Sequence, residues 1–310
     1  MSRLPLVADF LASINQYPAK RWVIALSGGL DSIVMLHLAA LHLPSDMLHV
    51  LHINHHLQDS ADAWSAFCKK QSEDLSLAFS QIDVFPHNHG EAAAREARYT
   101  AFSDFLQQGD VLLLAHHADD QAETVLFRLL RGSGLRGLAG MPVSRKLGGN
   151  DIVRPLLAVS RTQIEQWADT QQLNWIEDPT NQHDAYDRNF LRLNILPVLK
   201  ERWPHVIERI SSTGRLLYQD RELLDQYLDQ ELSELTLNKN SLNGRQLGLL
   251  PVGKRQALIR RWVYTRQGEF LNEVQLLQLE QGFFQSGIDR NPEFVLKAAV
   301  LRRYRGDLFL

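Results

Sequence analysis

The chain has 310 residues, of which 45% are hydrophobic and 22% are charged, and its net charge at pH 7 is −3. This is the composition of a globular protein long enough for two domains, and its longest apolar stretches are far shorter than the roughly 20 residues that span a membrane. The single cysteine, Cys68, excludes an intrachain disulfide framework and a cysteine-based zinc or iron–sulfur site, and it fits a reducing, cytoplasmic location.

Strands and helices alternate along the first part of the chain. Apolar runs predict strands at residues 22–26, 48–53, 78–84 and 110–115. Helical periodicity predicts helices at residues 33–41, 61–76, 91–108 and 119–131. Strands that alternate with helices of this length are typical of an α/β fold in which a parallel sheet is covered on both faces. We expect the functional site beyond the carboxyl ends of these strands, where such sheets bind their ligands.

The second part of the chain is predicted to be mainly helical. Residues 132–155 are rich in loop-forming residues, and residues 178–181 have the composition of a turn. Helices are predicted at residues 161–172, 188–202 and 206–234, and a hairpin-like pair of segments at residues 293–301 and 307–310. The sequence therefore predicts a first domain at residues 1–214 and a smaller, mainly helical second domain at residues 215–310.

A glycine turn joins the first strand to the helix that follows it. It consists of Ser27, Gly28, Gly29, Leu30, Asp31 and Ser32. Glycines let the backbone turn sharply and approach a ligand closely, and the start of a helix attracts anions through its free N–H groups and its dipole. The turn therefore predicts a phosphate site, in which Asp31 would lie near a magnesium ion. The alternative is an ordinary strand–helix turn with Asp31 as a first-turn acid, and no lysine follows the glycines as in the common phosphate loop.

The richest polar cluster of the sequence follows the fourth strand, at residues 115–124. If a helix begins near residue 119, Asp120 and Glu123 share one of its faces and His116 lies just before it. Two carboxylates and a histidine at the end of a strand can hold a magnesium ion, or bind an amine and remove its proton. The structural alternative is that Asp119 caps the helix and Glu123 is an ordinary surface charge.

Three further patterns have more than one interpretation. The histidines at residues 52–56 favour a nucleotide pocket over a metal site, because no cysteine or carboxylate stands beside them at ligand spacing. The spaced glycines at residues 132–137 follow a helix rather than a strand, which favours a mobile loop near a phosphate or a nucleic-acid backbone over a dinucleotide-binding turn. Arg95 and Arg98 lie one helical turn apart, as on a solvated face or beside a phosphate.

Basic and aromatic residues are concentrated in the predicted second domain. The basic residues are Lys254, Arg255, Arg260, Arg261, Arg266, Lys297, Arg302, Arg303 and Arg305, and the aromatic residues among them are Trp262, Tyr264 and Tyr304. This pattern predicts either RNA contact or solvated helix faces, and the sequence does not decide between them.

Several of these segments together resemble a known family. The glycine turn is similar to the pyrophosphate loop (PP-loop) of the N-type ATP pyrophosphatases, and within that group the chain resembles the bacterial tRNA(Ile)-lysidine synthetases. The segments that carry the resemblance are residues 27–32, 52–55, 91–102, 115–141, 154–157, 177–181 and 188–192. Residues 215–310 resemble the substrate-binding domain of the family more weakly.

The resemblance implies an adenine-nucleotide-binding PP-loop domain and an ATP-dependent ligase that acts on RNA. Free L-lysine would be joined to carbon 2 of the wobble cytidine of tRNA(Ile) with a CAU anticodon. The reaction would pass through an adenylated tRNA and release pyrophosphate and AMP. The lysidine so formed changes the codon and amino-acid specificity of the tRNA from Met to Ile.

The resemblance also assigns roles to residues. ATP would be bound by residues 27–32, with Mg²⁺ on Asp31. The implied catalytic residues are Asp31, Arg95, His116, Asp120 and Glu123. The implied tRNA contacts are Arg98, Arg131, Gly132, Arg136, Arg188 and Arg192.

Two expectations concern the whole protein. Many members of the family continue into a further C-terminal domain, so a chain that stops at Leu310 is either the shorter architecture or a truncated one. No association with a membrane is expected, and a homodimer is left open.

Two other functions compete with this interpretation. A tRNA thiolase generally needs paired cysteines and an amidating synthetase a glutaminase cysteine, and neither fits a single cysteine at Cys68. A non-catalytic nucleotide- or RNA-binding protein would not need an acidic pair and a histidine beside an anion site.

Overall fold

The computed structural model describes residues 5–56, 58, 60–88, 90–178, 187–285 and 290–310. The sequence predicts a turn at residues 178–181, and residues 179–181 of it lie outside the described residues. The chain forms two compact units, Met1–Tyr218 and Gln219–Leu310. None of the described helices is both long enough and apolar enough to cross a membrane.

The first unit contains both helices and strands. Its described helices are α1 Pro5–Ile14, α2 Leu30–His42, α3 Ala61–Asp74, α4 Glu91–Phe105, α5 Ala118–Leu130, α6 Leu135–Leu138, α7 Arg161–Thr170, α8 Asp187–Phe190 and α9 Leu196–Arg202. Its described strands are β1 Arg21–Ala25, β2 Leu48–Asn54, β3 Ala78–Asp83, β4 Asp110–Leu113, β5 Ser144–Leu147 and β6 Asn150–Val153. A π-helical turn at Leu191–Ile195 joins α8 to α9. The next helix, α10 Val206–Leu235, contains the boundary between the two units.

The strands of the first unit form one sheet in the order β3-β2-β1-β4-β6-β5. All neighbouring pairs are parallel except β5 and β6, which are antiparallel. The prediction of a mainly parallel sheet is confirmed. The hairpin of β5 and β6 lies in the region that was predicted to be loop. Its two-residue Gly148-Gly149 connection, with φ of +55° and +91°, is a hairpin signal that the sequence analysis did not use.

Both faces of this sheet are covered. Ile24 and Val50 pack on one face with Phe10 of α1, Met35 of α2 and Trp167 of α7. Side chains that alternate with them along the strands pack on the other face. These include Val23 and Leu51, which meet Phe102 of α4. A central strand buried on both sides needs apolar residues at every position, which explains why the sequence of β1 reads as a continuous apolar run.

Because β1, β2 and β4 are parallel, their carboxyl ends lie at one edge of the sheet. The segments that follow them begin with Leu26, His55 and Leu114. The glycine turn, the histidines after β2 and the polar cluster after β4 therefore share that edge, as the sequence predicted.

The second unit combines helices with a sheet of its own. Its further helices are α11 Gly244–Leu249, α12 Val252–Gln267 and α13 Glu273–Leu279, the last continuing into a π-helical turn at Glu280–Phe284. Its strands are β7 Thr236–Asn238, β8 Ser241–Leu242, β9 Glu293–Val295, β10 Val300–Tyr304 and β11 Asp307–Phe309, in the order β7-β8-β11-β10-β9. Leu258 and Trp262 of α12 pack in its core with Leu301 and Leu308 of the sheet. A terminal hairpin is present and is formed by β10 and β11, whereas the predicted segment 293–301 is divided between β9 and β10, and β7 and β8 were not predicted.

Candidate functional site

The glycine turn, residues 27–32, is called the anion loop here. Ser32 is buried, and its Oγ donates to the carbonyl of Gly29 at 2.9 Å and accepts from the Ser27 N–H at 3.2 Å. The hydroxyls of Ser27 and Ser32 lie 3.0 Å apart. No side chain of the described residues caps α2 at Gly29, so the N–H groups at its first turn point toward the sheet edge without a side-chain acceptor. This arrangement can bind an anion.

Gly28 has a backbone conformation that favours glycine. Its φ is +86°, and a Cβ built there would lie 3.2 Å from Cys68 Sγ and 3.2 Å from Ile176 Cδ1. Its carbonyl accepts a hydrogen bond from the N–H of Ile176 at 2.9 Å. The thiol of Cys68 only fills space here, because burial raises its pKa to about 12.

Asp31 projects from the first turn of α2 and is held by two cations. Nη1 of Arg161 donates to both of its carboxylate oxygens at 3.0 Å, and Nε2 of His117 lies 3.6 Å away. Burial by itself would raise the pKa of Asp31, but His117, Arg161 and Arg192 outweigh burial and lower it. Asp31 is therefore ionised beside the anion loop.

Three more carboxylates lie on the first turns of α5, namely Asp119, Asp120 and Glu123. Together with Asp31 they are called the acidic cluster. Asp119 accepts from the backbone N–H of Arg161 at 2.8 Å and from Nζ of Lys200 at 2.9 Å. Burial would raise its pKa, but these two hydrogen bonds and the charge of Lys200 lower it. Asp119 thereby links α5 to the start of α7 and to the last turn of α9.

Glu123 and Asp120 share a single guanidinium. Nε and Nη2 of Arg192 donate to the two oxygens of Glu123 at 2.6 and 2.9 Å, and Nη2 also reaches Asp120 at 3.2 Å. Glu123 is only 4% exposed. Burial raises its pKa even though Arg192 works to lower it. The pair is thus a binding site for a cationic group, and Arg192 reaches it from a π-helical turn, a distortion that is frequent at functional sites.

His117 caps α5 and lies between the carboxylates. Its Nδ1 accepts from the Asp119 N–H at 3.2 Å, while Asp120 accepts from the His117 N–H at 3.1 Å. Burial works against protonation, but Asp120, Asp31 and Asp119 raise the pKa of His117 to about 9. The helix cap needs an unprotonated Nδ1, which favours the neutral ring. The carboxylates favour the protonated ring, so the two influences oppose each other.

His116 lies just before α5, as expected, but it does not join the acidic cluster, and its catalytic role stays a prediction. His117, and not His116, lies in the acidic cluster with Asp120. Burial, together with the charges of Arg154, Arg98 and Arg95, holds the pKa of His116 well below its usual value. Consecutive residues of an extended segment point to opposite sides. A helix predicted to begin at Ala118, rather than near residue 119, would have indicated that His117 and not His116 shares a side with Asp120.

The arginines expected to contact tRNA do not lie together. Arg192 is paired within the acidic cluster, and this contact was not anticipated. The guanidiniums of Arg131 and Arg188 lie over the ring of Phe127, at 5.0 and 5.7 Å from its centroid. Arg98 lies on α4, near His116 and His55.

The glycine segment after α5 is more ordered than a simple loop. Arg136 lies on α6, and Gly132, with φ of +72°, is exposed. Nη1 of Arg128 donates to the carbonyls of Gly137 and Gly140 at 3.0 and 2.8 Å. Part of the segment that was predicted to be a mobile loop is therefore a short helix, which Arg128 links to α5.

The histidines after β2 serve separate purposes. Nδ1 of His52 lies 2.8 Å from the carbonyl of Leu26, which ties β2 to the anion loop. His56 pairs with Asp83 at 3.0 Å and stacks on Phe85 at 5.1 Å. Among the described residues no group of three histidine, cysteine or carboxylate side chains is arranged to hold a metal ion.

Most of the basic residues of the second unit have internal partners. Arg255 is buried in a bidentate ion pair with Glu280, and Arg303 is buried against the carbonyls of Phe283 and Arg290. Trp262 is 1% exposed and belongs to the core. The other ion pairs are Lys254 with Glu231, Arg261 with Asp225 and Asp229, and Arg302 with Glu293. The pattern in the sequence therefore reflects mainly the internal architecture of this unit.

Comparison with known protein families gives two matches along the chain. A family model described as a PP-loop domain matches residues 5–199. A second, described as the TilS substrate binding domain, matches residues 242–309.

Curated relatives are similar over nearly the whole chain. The tRNA(Ile)-lysidine synthase of Haemophilus influenzae is 38% identical over 315 residues, which cover 99% of this chain and 73% of that protein. The enzyme of the same name from Actinobacillus pleuropneumoniae is 40% identical, with coverage of 96% and 71%. Among solved structures, the U34-tRNA thiolase NcsA of Methanococcus maripaludis aligns with a TM-score of 0.57 at 16% identity, covering 68% of this chain and 77% of that one. That last likeness shows the fold alone.

Replacement of Gly28 by alanine should distort the anion loop. The positive φ disfavours any side chain, and the new methyl group would press on Cys68 and Ile176, so we expect a loss of about 1–3 kcal/mol in the free energy of unfolding. Urea denaturation measures this loss. The control is Gly29→Ala, where φ is −74° and the nearest atom to a new Cβ would be Ser27 Oγ at 3.7 Å. Equal effects of the two substitutions would contradict this account.

Asp119 should contribute to the dependence of stability on pH. Because its folded-state pKa is lower than the ordinary 3.8, its contribution is present above about pH 4 and is lost as the pH falls through the folded value. Asp119→Asn should therefore cost about 1–3 kcal/mol near neutral pH, and this difference from the unmodified protein should shrink below pH 4. Denaturation across pH 7 to 3 measures it, with Asp46→Asn, at an exposed position, as control. A difference that is constant with pH would exclude a role for the charge.

Proposed function

This chain belongs to the tRNA(Ile)-lysidine synthase family, and from that membership we propose that it joins free L-lysine to carbon 2 of the wobble cytidine in tRNA(Ile) with a CAU anticodon. It is an ATP-dependent ligase that modifies tRNA. The observation that supports the choice of lysine is the pair of Asp120, which is half-buried, and Glu123, which is buried. This pair already binds a guanidinium at the sheet edge that carries the anion loop.

The first step is activation of the base by ATP. Oxygen 2 of the cytidine attacks the α-phosphate, and pyrophosphate leaves. The anion loop is suited to hold that leaving group, because the N–H groups at the start of α2 and the hydroxyls of Ser27 and Ser32 converge there. Donors fixed before the reaction stabilise the charge that develops on the leaving group without reorganising.

The family implies Mg²⁺, and one residue of the site fits it. Asp31 is an ionised carboxylate on the first turn of α2, partly exposed and next to the loop, which suits an ion that is held in proteins by one or two carboxylates and the phosphates of the substrate. When bound, the ion supplies positive charge to the phosphate oxygens. Arg161 and His117 share the same carboxylate, so they set its orientation.

The second step is attack by the amine of lysine on carbon 2, with AMP as the leaving group. The ε-ammonium of lysine needs the same thing as the guanidinium of Arg192, namely two converging carboxylates. It must lose a proton before it attacks. Glu123 suits this task, because burial raises its pKa toward the range of an effective base. We therefore propose that Asp120 and Glu123 bind the amine, that Glu123 accepts its proton, and that Arg192 yields its place as lysine enters.

The tRNA contacts are proposed at the arginines next to this site. Arg131 and Arg188 lie at Phe127 near the end of α5, and Arg136 lies on α6, which follows it. Phe127 offers a ring to unpaired bases, and the arginines offer charge to phosphates. Unpaired anticodon bases can be turned out of their stack, so a base can reach the sheet edge while the backbone stays outside.

The direct test is incorporation of labelled lysine into tRNA. Purified protein, ATP and unmodified tRNA(Ile) with a CAU anticodon should yield labelled tRNA together with AMP and pyrophosphate. The tRNA of methionine, which carries the same anticodon, is the control RNA. If no lysine enters the isoleucine tRNA, the proposed function is wrong.

Substitutions in the amine site should separate the two steps. Asp120→Asn and Glu123→Gln each remove a charge that would bind the ammonium, so we expect the KM for lysine to rise about tenfold or more. Pyrophosphate release from ATP and tRNA in the absence of lysine should persist. Glu73→Gln, at an exposed position on α3, is the matched control. Unchanged lysine kinetics in both variants would contradict the assignment.

A further inference from the structure

A group of basic residues lies on the other side of the segment that carries His116 and His117. We call it the arginine cluster, and its members come from α4, β5 and the segment after β6. They are Arg95, Arg145 and Arg154, gathered around Tyr99. Nothing in the lysine chemistry described above uses Arg145, Arg154 or Tyr99.

Tyr99 is the centre of this cluster. The guanidinium carbons of Arg95 and Arg145 lie 5.0 and 4.6 Å from the centroid of its ring. Arg145 and Arg154 also lie close enough for their charges to act on its hydroxyl. Burial works to raise the pKa of Tyr99, but Arg95, Arg154 and Arg145 lower it overall. The Tyr99 hydroxyl thus lies in a strongly positive environment.

Arg154 shows that the cluster is incompletely satisfied. Its side chain is only 2% exposed, and Nη1 donates to the carbonyl of Pro142 at 2.8 Å. Its Nε is buried and makes no hydrogen bond, and the same is true of Nδ1 of His116 nearby. In the part of the chain that the structure describes, no carboxylate forms an ion pair with Arg95, Arg145 or Arg154. A buried guanidinium without an anion is costly, so the site is electrostatically incomplete.

From this geometry we infer that the arginine cluster is a phosphate-binding subsite, separate from the anion loop. Guanidiniums from three different segments present planar pairs of N–H donors, which match the oxygens of a phosphate. His116 adds a neutral ring, because burial and the surrounding arginines suppress its protonation. The inference rests on the proposed function in one respect, which is that the phosphate comes from the nucleotide or from the RNA.

The position of the subsite explains why it is separate from the acidic cluster. His116 and His117 are consecutive, and they lie among arginines and among carboxylates respectively. The backbone after β4 therefore separates two environments at the sheet edge. The carboxylates around His117 can bind a cation, and the arginines around His116 can bind an anion. A reaction that brings an amine to a phosphorylated carbon needs both sides, one for the ammonium and one for the phosphate next to the reacting atom.

The test uses the whole chain with a substitution at Arg145. This residue is exposed on the edge strand β5, so Arg145→Gln removes a guanidinium without opening the core. Lys146→Gln is the matched control, because the next residue of the strand points to the opposite face and its partner is Asp151. Tyr99→Phe is a second variant, which removes the hydroxyl on which the charges of Arg145 and Arg154 act. Thermal unfolding establishes that each variant is folded.

Two affinities distinguish the sources of the phosphate. Calorimetry measures the Kd for ATP, and filter binding over a range of salt measures the Kd for unmodified tRNA(Ile). We expect Arg145→Gln to weaken one of them about tenfold and Tyr99→Phe to weaken the same one less, while Lys146→Gln changes neither. A loss with ATP assigns the subsite to a nucleotide phosphate. A loss with tRNA, with a salt slope lower by about one, assigns it to an RNA phosphate.

The inference is overturned if both affinities are unchanged in a folded Arg145→Gln variant. That result leaves the proposed function intact if the unmodified protein still incorporates lysine. Conversely, weakened binding of ATP or tRNA in the variant, with no incorporation by the unmodified protein, supports the subsite and rejects the proposed function.

Discussion

The arrangement of this protein depends on the neutralisation of carboxylates at the carboxyl edge of the parallel sheet. Asp31 and the three acids of α5 would repel one another strongly if left unpaired in a partly buried site. Their partners, Arg161, Arg192 and Lys200, come from much later in the chain. The segments that carry Arg161, Arg192 and Lys200 are therefore held in place by ion pairs with the carboxylates of the site. The same contacts stabilise the site and the fold.

The same edge carries the opposite charge a short distance away. Carboxylates raise the pKa of His117 against the effect of burial, whereas burial and nearby arginines together lower the pKa of His116. Two neighbouring residues of one type thus acquire opposite properties, because the backbone after β4 separates their surroundings. An enzyme that handles a cationic amine and anionic phosphates in one reaction needs such a separation, since the two kinds of binding group would otherwise neutralise each other.

The second unit uses its charges differently. Arg255 and Arg303 are buried and bonded within the unit, and Trp262 lies in its core. A count of basic and aromatic residues along the sequence could not distinguish them from an RNA-binding surface, because the count does not tell which side chains face inward. The candidates for RNA contact that remain in the first unit lie around Phe127, where the arginines are near an exposed end of a helix.

The sequence by itself determined the local features: β1 as an apolar run, the anion loop with its glycines, and the polar segment that opens α5. Each depends on the properties of neighbouring residues, such as the freedom of Gly28 or the periodicity of α5. Only the tertiary structure decided which residues meet. That Arg192 and Arg161 reach the carboxylates, and that His117 rather than His116 joins them, depends on contacts between residues far apart in the chain and on the exact start of α5. Periodicity places a helix only to within a few residues, and it carries no information on distant partners.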